Sequence, residues 1–411
     1  MNRLLVWQLA LRYLRGKRTA NAVPILSRIS MVAIAVGSCA MIILFSVFNG
    51  FEHVVEDLYK AFYPEIKITA SKGKFLSIDN IQVFKIKATA GINKTSYVIE
   101  DNVLVNSNSN EMIATLKGID GNYFEVNNVK PYIIAGHDSV SAGDRPTAIV
   151  GAHIQALMEL DVNTLFDRIM ITYPNAKHSG PILDPSSAFQ TLDLKPDGVF
   201  RIQDDFDGKY ILAALPLVQT LLQQEGKYSS IELSLKPLSD ADVIKKSLQQ
   251  TLGNSYHVET RYEQNKALYM VMRTEKWAVY VILLFVLLIA SFNMVGALAL
   301  LVLEKQKDIA ILRAMGANPS DVRKIFLAEG ILWSLTGGLI GILLGTLLCL
   351  GQQYFHWIRL DGAFIIDAYP VSMLWTDFIL VVVTVVVVGF LAAWYPAMRA
   401  TKVEAPTLKS S

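Results

Sequence analysis

The residue types that most often carry out chemistry are sparse in this sequence of 411 amino acids. Each glycine–lysine pair, at Gly16, Gly73, Gly208 and Gly226, lacks the upstream glycine of a nucleotide-binding P-loop. The sequence contains no H-E-x-x-H, no paired cysteine motif and no G-x-S-x-G, and its six histidines are not spaced as metal ligands. We therefore predict that the chain is not an enzyme by itself and binds no cofactor of its own. Any energy for work must come from a partner.

Composition places the chain among membrane proteins rather than soluble ones. Hydrophobic residues make up 52% of the sequence and charged residues only 18%, whereas a soluble domain has about 25% charged residues. The 38 basic and 36 acidic side chains leave a net charge of +2. This balance argues against disorder and against a nucleic-acid-binding role.

Four stretches lack Asp, Glu, Lys and Arg and are long enough to cross a bilayer, since about 20 helical residues span its core. Core helices of soluble proteins are seldom so long without a charge. The first stretch and its basic flank are too long for a cleaved signal peptide. We predict a membrane protein with four transmembrane α-helices and a large extracytoplasmic α+β domain between the first two. The predicted spans are residues 29–50, 277–303, 330–351 and 378–396.

The flanking basic residues predict the orientation. Residues 1–28, 304–329 and 397–411 together hold 14 basic and 5 acidic side chains, and positive flanks stay in the cytoplasm. Both termini are therefore expected inside. Residues 51–272, with 21 basic and 27 acidic side chains, and the loop 352–377 are expected outside. Within residues 1–28, an amphipathic helix is expected to lie in the membrane interface or against a partner subunit.

The segment 51–272 has the mixed periodicities of an α+β domain. Residues 51–62 and 261–276 keep a helical period, so we expect stalks that continue the first two membrane helices without a break. Residues 174–189 contain three prolines and no regular period, which favours a functional loop over plain surface irregularity. Helices are predicted at 149–160, 215–224 and 240–252. Strands are predicted at 65–69, 97–105, 112–116, 168–173, 198–202, 230–235 and 257–260.

Residues 304–329 predict a cytoplasmic helix-turn-helix. Ile309, Leu312 and Met315 form a narrow apolar face, and Gly316 stands where the first helix should stop. With Arg313 at its end, this short helix is suited to docking into another protein. A membrane-surface helix that merely joins two spans is the alternative.

Three blocks of the sequence resemble the lipoprotein-releasing ABC permeases of the FtsX-like family. Near the N-terminus the similar residues are LRYLRGKR at 11–18, SRIS at 27–30 and FNGFE at 48–52. The second block is FNMVGALALLVLEKQKDIAILRAMGA at 292–317, and the third is AAWYPAMRA at 392–400. The order of one span, a large domain and three further spans also matches this family.

The resemblance implies a permease subunit of the bacterial inner membrane. Such permeases work with an ABC ATPase dimer, which binds ATP and magnesium, and with a second permease that is either a copy or a sister subunit. They extract lipoproteins from the membrane and pass them to a soluble periplasmic carrier.

The resemblance also implies roles for particular residues. The coupling helix that inserts into the ATPase would contain Ile309, Leu312, Arg313, Met315 and Gly316. A hook for the carrier would contain Pro174, Pro181, Ile182, Leu183, Pro185 and Phe189. From their position in the first span, we expect Phe45, Phe48 and Phe51 to line a cavity for acyl chains, with ordinary lipid-facing residues as the alternative.

Two other functions are compatible with the same layout. A related permease could drive efflux of small molecules or peptides, and would then bind a channel adaptor. A signalling permease would instead activate an envelope hydrolase and transport nothing. The FNGFE block and the proline-punctuated loop favour lipoprotein release over both.

Overall fold

The computed structural model describes residues 22–77, 80–107, 110–164, 166–175, 188–359 and 368–401. The chain divides into two compact units. One, here called the helical unit, comprises residues 1–54 and 270–411, and the other, the sheet unit, comprises residues 55–269. The expected interfacial helix near the N-terminus and most of the tail 397–411 lie outside the described residues.

Helix α1 (Ala22–Phe62) contains both the first predicted span and the first predicted stalk in 41 continuous residues. Its Cys39 lies within the helix and is followed by apolar residues that continue the span. An uninterrupted helix of this length is expected where no proline or glycine pair breaks the apolar run.

The sheet unit contains ten strands, seven short α-helices and one 3₁₀ turn (Lys130–Tyr132) within the part of the chain that is described. The strands and α-helices are numbered in chain order. In chain order they are β1 (Ile66–Ala70), α2 (Asn80–Ala88), β2 (Ile92–Ser107), β3 (Asn110–Ile119), α3 (Tyr123–Val126), β4 (Ile133–Gly136), β5 (Thr147–Gly151), α4 (Ala152–Leu157), β6 (Ile169–Pro174), β7 (Phe189–Phe200), α5 (Asp204–Asp207), β8 (Tyr210–Ala214), α6 (Leu215–Leu221), β9 (Ser230–Leu235), α7 (Ala241–Leu252), β10 (Tyr256–Thr260) and α8 (Arg261–Gln264).

The sheet has the order β10-β1-β9-β2-β3-β8-β5-β7-β4, and β6 pairs with both β2 and β7. This double pairing closes β2, β3, β8, β5, β7 and β6 into a ring around one apolar core. A second core lies between β1, β9, β10 and the helices α2 and α7. The long strand β2 belongs to both regions, since its first half pairs with β9 and its last residues pair with β6.

All seven predicted strands overlap observed strands, whereas β4, β5 and β8 were not predicted. The predicted helix 149–160 is wrong at its start, because residues 147–151 form strand β5 and only Ala152–Leu157 are helical. Ile149 and Val150 are both fully buried. A strand covered on both faces shows no alternation, so its pattern is easily mistaken for that of a helix.

The core of the sheet unit contains a buried ion pair. The Lys117 ammonium lies 2.9 Å from Glu232 Oε1, and both side chains are almost fully buried. Asn127 also donates to Glu232, and the ammonium lies over the ring of Tyr123. Burial alone would lower the pKa of Lys117, but the Coulombic effects of Glu232, Tyr123, Glu100 and Tyr210 together outweigh it and hold this pKa well above its usual range.

Four further helices complete the chain: α9 (Lys266–Glu304), α10 (Gln306–Ala314), α11 (Pro319–Phe355) and α12 (Trp375–Ala400). With α1, the helices α9, α11 and α12 are long and apolar enough to cross a membrane. The second stalk is not continuous, contrary to the sequence prediction. Asn265 ends α8 with φ −123° and ψ 29°, outside the helical range, before α9 begins.

Glycines allow α11 to pack directly against the backbone of α1. Three of them recur at intervals of four residues, and a Cβ on each would lie 2.1–3.0 Å from a carbonyl oxygen of α1. The contacts pair Gly337 with Met31, Gly341 with Ala35 and Gly345 with Cys39. Small residues at this spacing bring membrane helices into close contact.

Candidate functional sites

The short helix α10 presents a different face from the one that the sequence predicted. Ile309 is 2% exposed and packs into the apolar core of the helical unit. Ile311 and Met315 are instead 58% and 79% exposed. Ile309 therefore cannot belong to a docking surface for a partner. Of the predicted apolar face, Ile309 is buried, Leu312 is partly buried and Met315 is exposed. The exposed apolar surface is formed by Ile311, Ala314 and Met315.

Helix α10 ends as predicted, with Gly316 at its stop. Gly316 has φ +93°, its N–H donates to Arg313 O, and the Ala317 N–H donates to Leu312 O. This pair of bonds is a Schellman motif, in which glycine adopts the left-handed conformation without strain. Leu312 packs against Ile325 and Ala328 of α11. The turn is thus rigidly built, with Met315 exposed at its edge.

The predicted hook is the connection of a β-hairpin. Strands β6 and β7 pair up to Pro174 and Phe189, and the Asn175 N–H then donates to Ala188 O at 2.8 Å. Gln223 Nε2 donates to Asn175 Oδ1 at 2.8 Å and ties the base of the loop to the sheet unit. The remaining predicted hook residues, Pro181, Ile182, Leu183 and Pro185, lie outside the described residues.

An apolar surface that the sequence analysis missed lies on the same sheet face as the base of this loop. Leu104 pairs with Ile113 across β2 and β3, and Leu104 also pairs with Thr172 of β6. Residues two apart on a strand share a face, so Met170 and Phe189 project on this side too. We call this surface the apolar pad, and it consists of the exposed residues Leu104, Ile113, Met170 and Phe189.

The three phenylalanines predicted to line an acyl-chain cavity lie in different environments. Phe45 is 1% exposed and belongs to the core of the helical unit, so it lines no open cavity and the prediction is wrong for this residue. Phe48 and Phe51 are partly exposed. Phe51 makes an edge-to-face contact with Tyr369, with ring centroids 5.4 Å apart.

Three polar side chains meet next to Phe45, and sequence reasoning missed them as a site. We call Asn49, Lys276 and Asp377 the polar triangle. Lys276 Nζ lies 2.7 Å from Asn49 Oδ1 and 3.2 Å from Asp377 Oδ1. Asn49 Nδ2 donates to Asp377 Oδ2 at 2.6 Å. Each of the three side chains thus contacts the other two.

The loop that precedes α12 is attached at the same place. Asn49 Nδ2 also donates to Ser372 O at 3.1 Å, and the Ser372 N–H donates to Ser46 O at 2.8 Å. A Cβ on Gly50 would lie 2.3 Å from Pro370 O, so only glycine fits at this contact. The sequence signal was the position of each charge: Lys276 directly precedes the second predicted span and Asp377 directly precedes the fourth.

Among the described residues, no group of three or more His, Cys, Asp or Glu side chains is arranged to hold a metal ion.

Comparison with known proteins identifies a family domain in the C-terminal part of the chain. Residues 280–405, which contain most of α9 and all of α10, α11 and α12, match the FtsX-like permease C-terminal family. Residues 280–405 thus form an FtsX-like permease domain.

Curated relatives extend the permease similarity over nearly the full length. The lipoprotein-releasing system transmembrane protein LolE of Haemophilus influenzae is 24% identical over 97% of this chain and 98% of its own. Proteins named LolC from Xylella fastidiosa and Neisseria meningitidis are 23% and 24% identical, each covering 96% of both chains. Among solved structures, the periplasmic region of MacB from Actinobacillus actinomycetemcomitans aligns with 53% of the permease and 98% of its own chain, with 11% identity and a TM-score of 0.37.

Proposed function

We propose that this permease is the membrane subunit of an ABC complex that releases lipoproteins from the inner membrane and passes them to a periplasmic carrier. The observation that carries the proposal is the end-to-end similarity to lipoprotein-releasing LolC and LolE proteins, which includes the sheet unit as well as the membrane helices. The permease is a multi-pass protein of the inner membrane, and the charge distribution supports cytoplasmic termini.

Release of a lipid anchor needs an external source of energy. Each CH₂ group of an acyl chain contributes about 0.8 kcal/mol to membrane anchoring, so a multiply acylated protein does not leave the bilayer spontaneously. The chain lacks a P-loop, and ATP is therefore hydrolysed by a separate ATPase dimer. A second permease, a copy or a sister subunit, completes the complex.

The surface that receives the ATPase motion is the exposed edge of α10. Ile311, Ala314 and Met315 form an apolar face at the connection between the second and third membrane helices. Because Ile309 and Leu312 anchor the opposite side of α10, force applied to Met315 moves α10 together with α9 and α11. Helices α1 and α9 then transmit the movement across the bilayer.

The carrier docks at the hairpin loop and the apolar pad. Pro174 and Phe189 hold the two ends of the loop next to each other. The pad supplies exposed apolar side chains on the same sheet face, as expected of a protein-binding surface. A lipid anchor leaving the membrane would find an apolar partner surface close to the loop.

Depletion of the permease from its native cell tests the proposed function. Lipoproteins destined for the outer membrane should then accumulate in the inner membrane, and expression of the wild-type chain should restore their sorting. Normal sorting after depletion would contradict lipoprotein release. Loss of drug efflux or of hydrolase activation, with sorting intact, would support one of the two other permease functions.

A matched pair of variants tests the coupling surface. Met315→Asp places a charge on the exposed apolar edge of α10 and should abolish co-purification of the ATPase while leaving the permease inserted. Asn318→Asp adds the same charge at the cap of α11, where Asp is as favourable as Asn, and should bind the ATPase normally. Normal ATPase binding by Met315→Asp would contradict the coupling assignment.

A second pair tests the carrier surface. Phe189→Ser removes an exposed aromatic ring at the base of the loop and should weaken carrier binding, as should deletion of residues 179–187, while ATP hydrolysis is retained. Phe166→Ser removes a ring that is 91% exposed elsewhere on the sheet unit and should leave carrier binding unchanged. If Phe189→Ser and the deletion bind the carrier as well as Phe166→Ser does, the loop and the apolar pad are not the carrier-binding surface.

A further inference from the structure

The polar triangle joins the ends of three membrane helices at one level. Asn49 lies at the end of the first predicted span, Lys276 directly before the second and Asp377 directly before the fourth. The three residues are separated by more than 100 positions from one another in the sequence, yet all three pairs are in contact. The contacts therefore join α1, α9 and α12 at their predicted extracytoplasmic ends.

Burial makes the contacts within the polar triangle costly to lose. Asp377 is 6% exposed and Asn49 is 1% exposed, so neither side chain has enough water to replace a lost partner. The carboxylate accepts a hydrogen bond from Asn49 and forms an ion pair with Lys276. The Asn49 amide uses its donors and its acceptor within this site. A buried carboxylate that loses such partners is strongly destabilised, which favours the closed arrangement.

Lys276 differs from the other two members because water can reach it. Its side chain is 27% exposed and its ammonium also lies 5.8 Å from the centre of the Phe45 ring. A hydrated ammonium can exchange a protein partner for water at low cost. Water could not replace an apolar contact in the same way. Among the three side chains, Lys276 is thus the one that can leave and return.

The polar triangle lies where α1 and α9 would have to move apart. Helix α1 leaves the predicted first span at Asn49, and α9 enters the second at Lys276. Any movement of these two helices apart at this level must lengthen the distance from Asn49 Oδ1 to Lys276 Nζ, which is 2.7 Å in the structure.

We propose that the polar triangle is a latch that holds α1 and α9 together and opens in each transport cycle to let a lipid anchor pass between them. The proposal rests on the function proposed above and adds to it the element that the ATPase must open. Asp377 and Asn49 form its fixed side, and Lys276 is its movable side.

Variants in the complete complex with its ATPase test whether charge pairing matters. Lys276→Met and Asp377→Asn should insert and assemble, hydrolyse ATP several-fold faster without lipoprotein, and release fewer lipoproteins per ATP. The exchange Lys276→Asp with Asp377→Lys should restore both values, because the Asn49 amide can turn to match the reversed charges. Arg273→Met, an exposed position on α9, is the control and should behave as wild type. Single variants that match this control, or an exchange as impaired as the single variants, would overturn the latch.

A reversible cross-link between positions 49 and 276 distinguishes a latch that opens in each cycle from a contact that stays closed. The double variant Asn49→Cys with Lys276→Cys, in a chain with Cys39→Ala and Cys349→Ala, is joined by a reducible bifunctional methanethiosulfonate reagent. Bridging should suppress ATP hydrolysis and stop lipoprotein release, and reduction should reverse both effects. A bridged complex that hydrolyses ATP and releases lipoproteins at the unbridged rate would overturn the proposal. A wild-type complex that hydrolyses ATP but releases no lipoprotein would instead contradict the proposed function, and the ATPase response to bridging would still decide the latch.

Discussion

The two units of the permease place their buried charges differently. In the sheet unit, Lys117 and Glu232 lie in the middle of the core, with both side chains almost fully buried. In the helical unit, Lys276 and Asp377 pair where helices enter or leave their predicted spans, and the spans themselves are packed through glycine and apolar side chains. A charge at the centre of a bilayer costs more than one near its surface. The sheet unit is therefore stabilised by charge within its core. The helical unit has its charges at helix ends, and its helices make close backbone contact along the spans.

The largest expected effect concerns the buried pair of the sheet unit. Lys117→Met leaves Glu232 as an uncompensated buried charge, which should destabilise the sheet unit by about 3–5 kcal/mol. Hydrogen exchange of the β3 and β9 amides in the full-length protein measures this change. All six tryptophans belong to the helical-unit sequence, so tryptophan fluorescence should change little.

Two controls sharpen this prediction. Lys94→Met breaks the exposed pair with Glu125 and should cost less than about 1 kcal/mol. Adding Glu232→Leu to Lys117→Met removes the stranded charge and should recover most of the loss. A double variant that is no more stable than Lys117→Met would show that the cost does not come from the charge.

The next effect concerns backbone contact in the helical unit. Gly341→Ala adds one methyl group that would lie 2.1 Å from Ala35 O, so α1 and α11 must separate. We expect a loss of about 1–3 kcal/mol, measured by tryptophan fluorescence during thermal unfolding in detergent. Gly296→Ala, at a glycine of α9 with no neighbouring atom within 4 Å of the added Cβ, should be neutral or slightly stabilising. Equal stability of the two variants would contradict close packing at Gly341.

The same contrast explains how much of the molecule could be predicted from sequence. Charge-free runs of about 20 residues identify membrane helices by composition alone, and all four were found. Gly316 was identified as a helix stop because the left-handed conformation strongly favours glycine. The polar triangle was missed because its members are far apart in the sequence and each looks like an ordinary flanking residue. Ile309 was misassigned because a short helix with apolar residues on two faces does not reveal which face is buried.

The smallest expected effect is a pH dependence confined to the sheet unit. Burial raises the pKa of Asp207 to about 6, although the Ile202 and Gln203 N–H groups donate to its carboxylate. The folded-state pKa exceeds the unfolded value of about 4, so the stabilisation is complete below pH 4 and is lost as the pH rises through 6. Hydrogen exchange of residues 202–208, corrected for intrinsic rates, should show protection falling by about 1–2 kcal/mol between pH 4 and 7.

Asp207→Asn keeps the acceptor for the Ile202 N–H but removes the titrating group, so protection of this segment should become independent of pH. Asp193→Asn, at a carboxylate that is 54% exposed and paired with Arg168, is the matched control and should keep the wild-type profile. A pH dependence that persists in Asp207→Asn would assign the titration to another group. A flat profile would assign the titration to Asp207, whose buried carboxyl is then neutral at low pH.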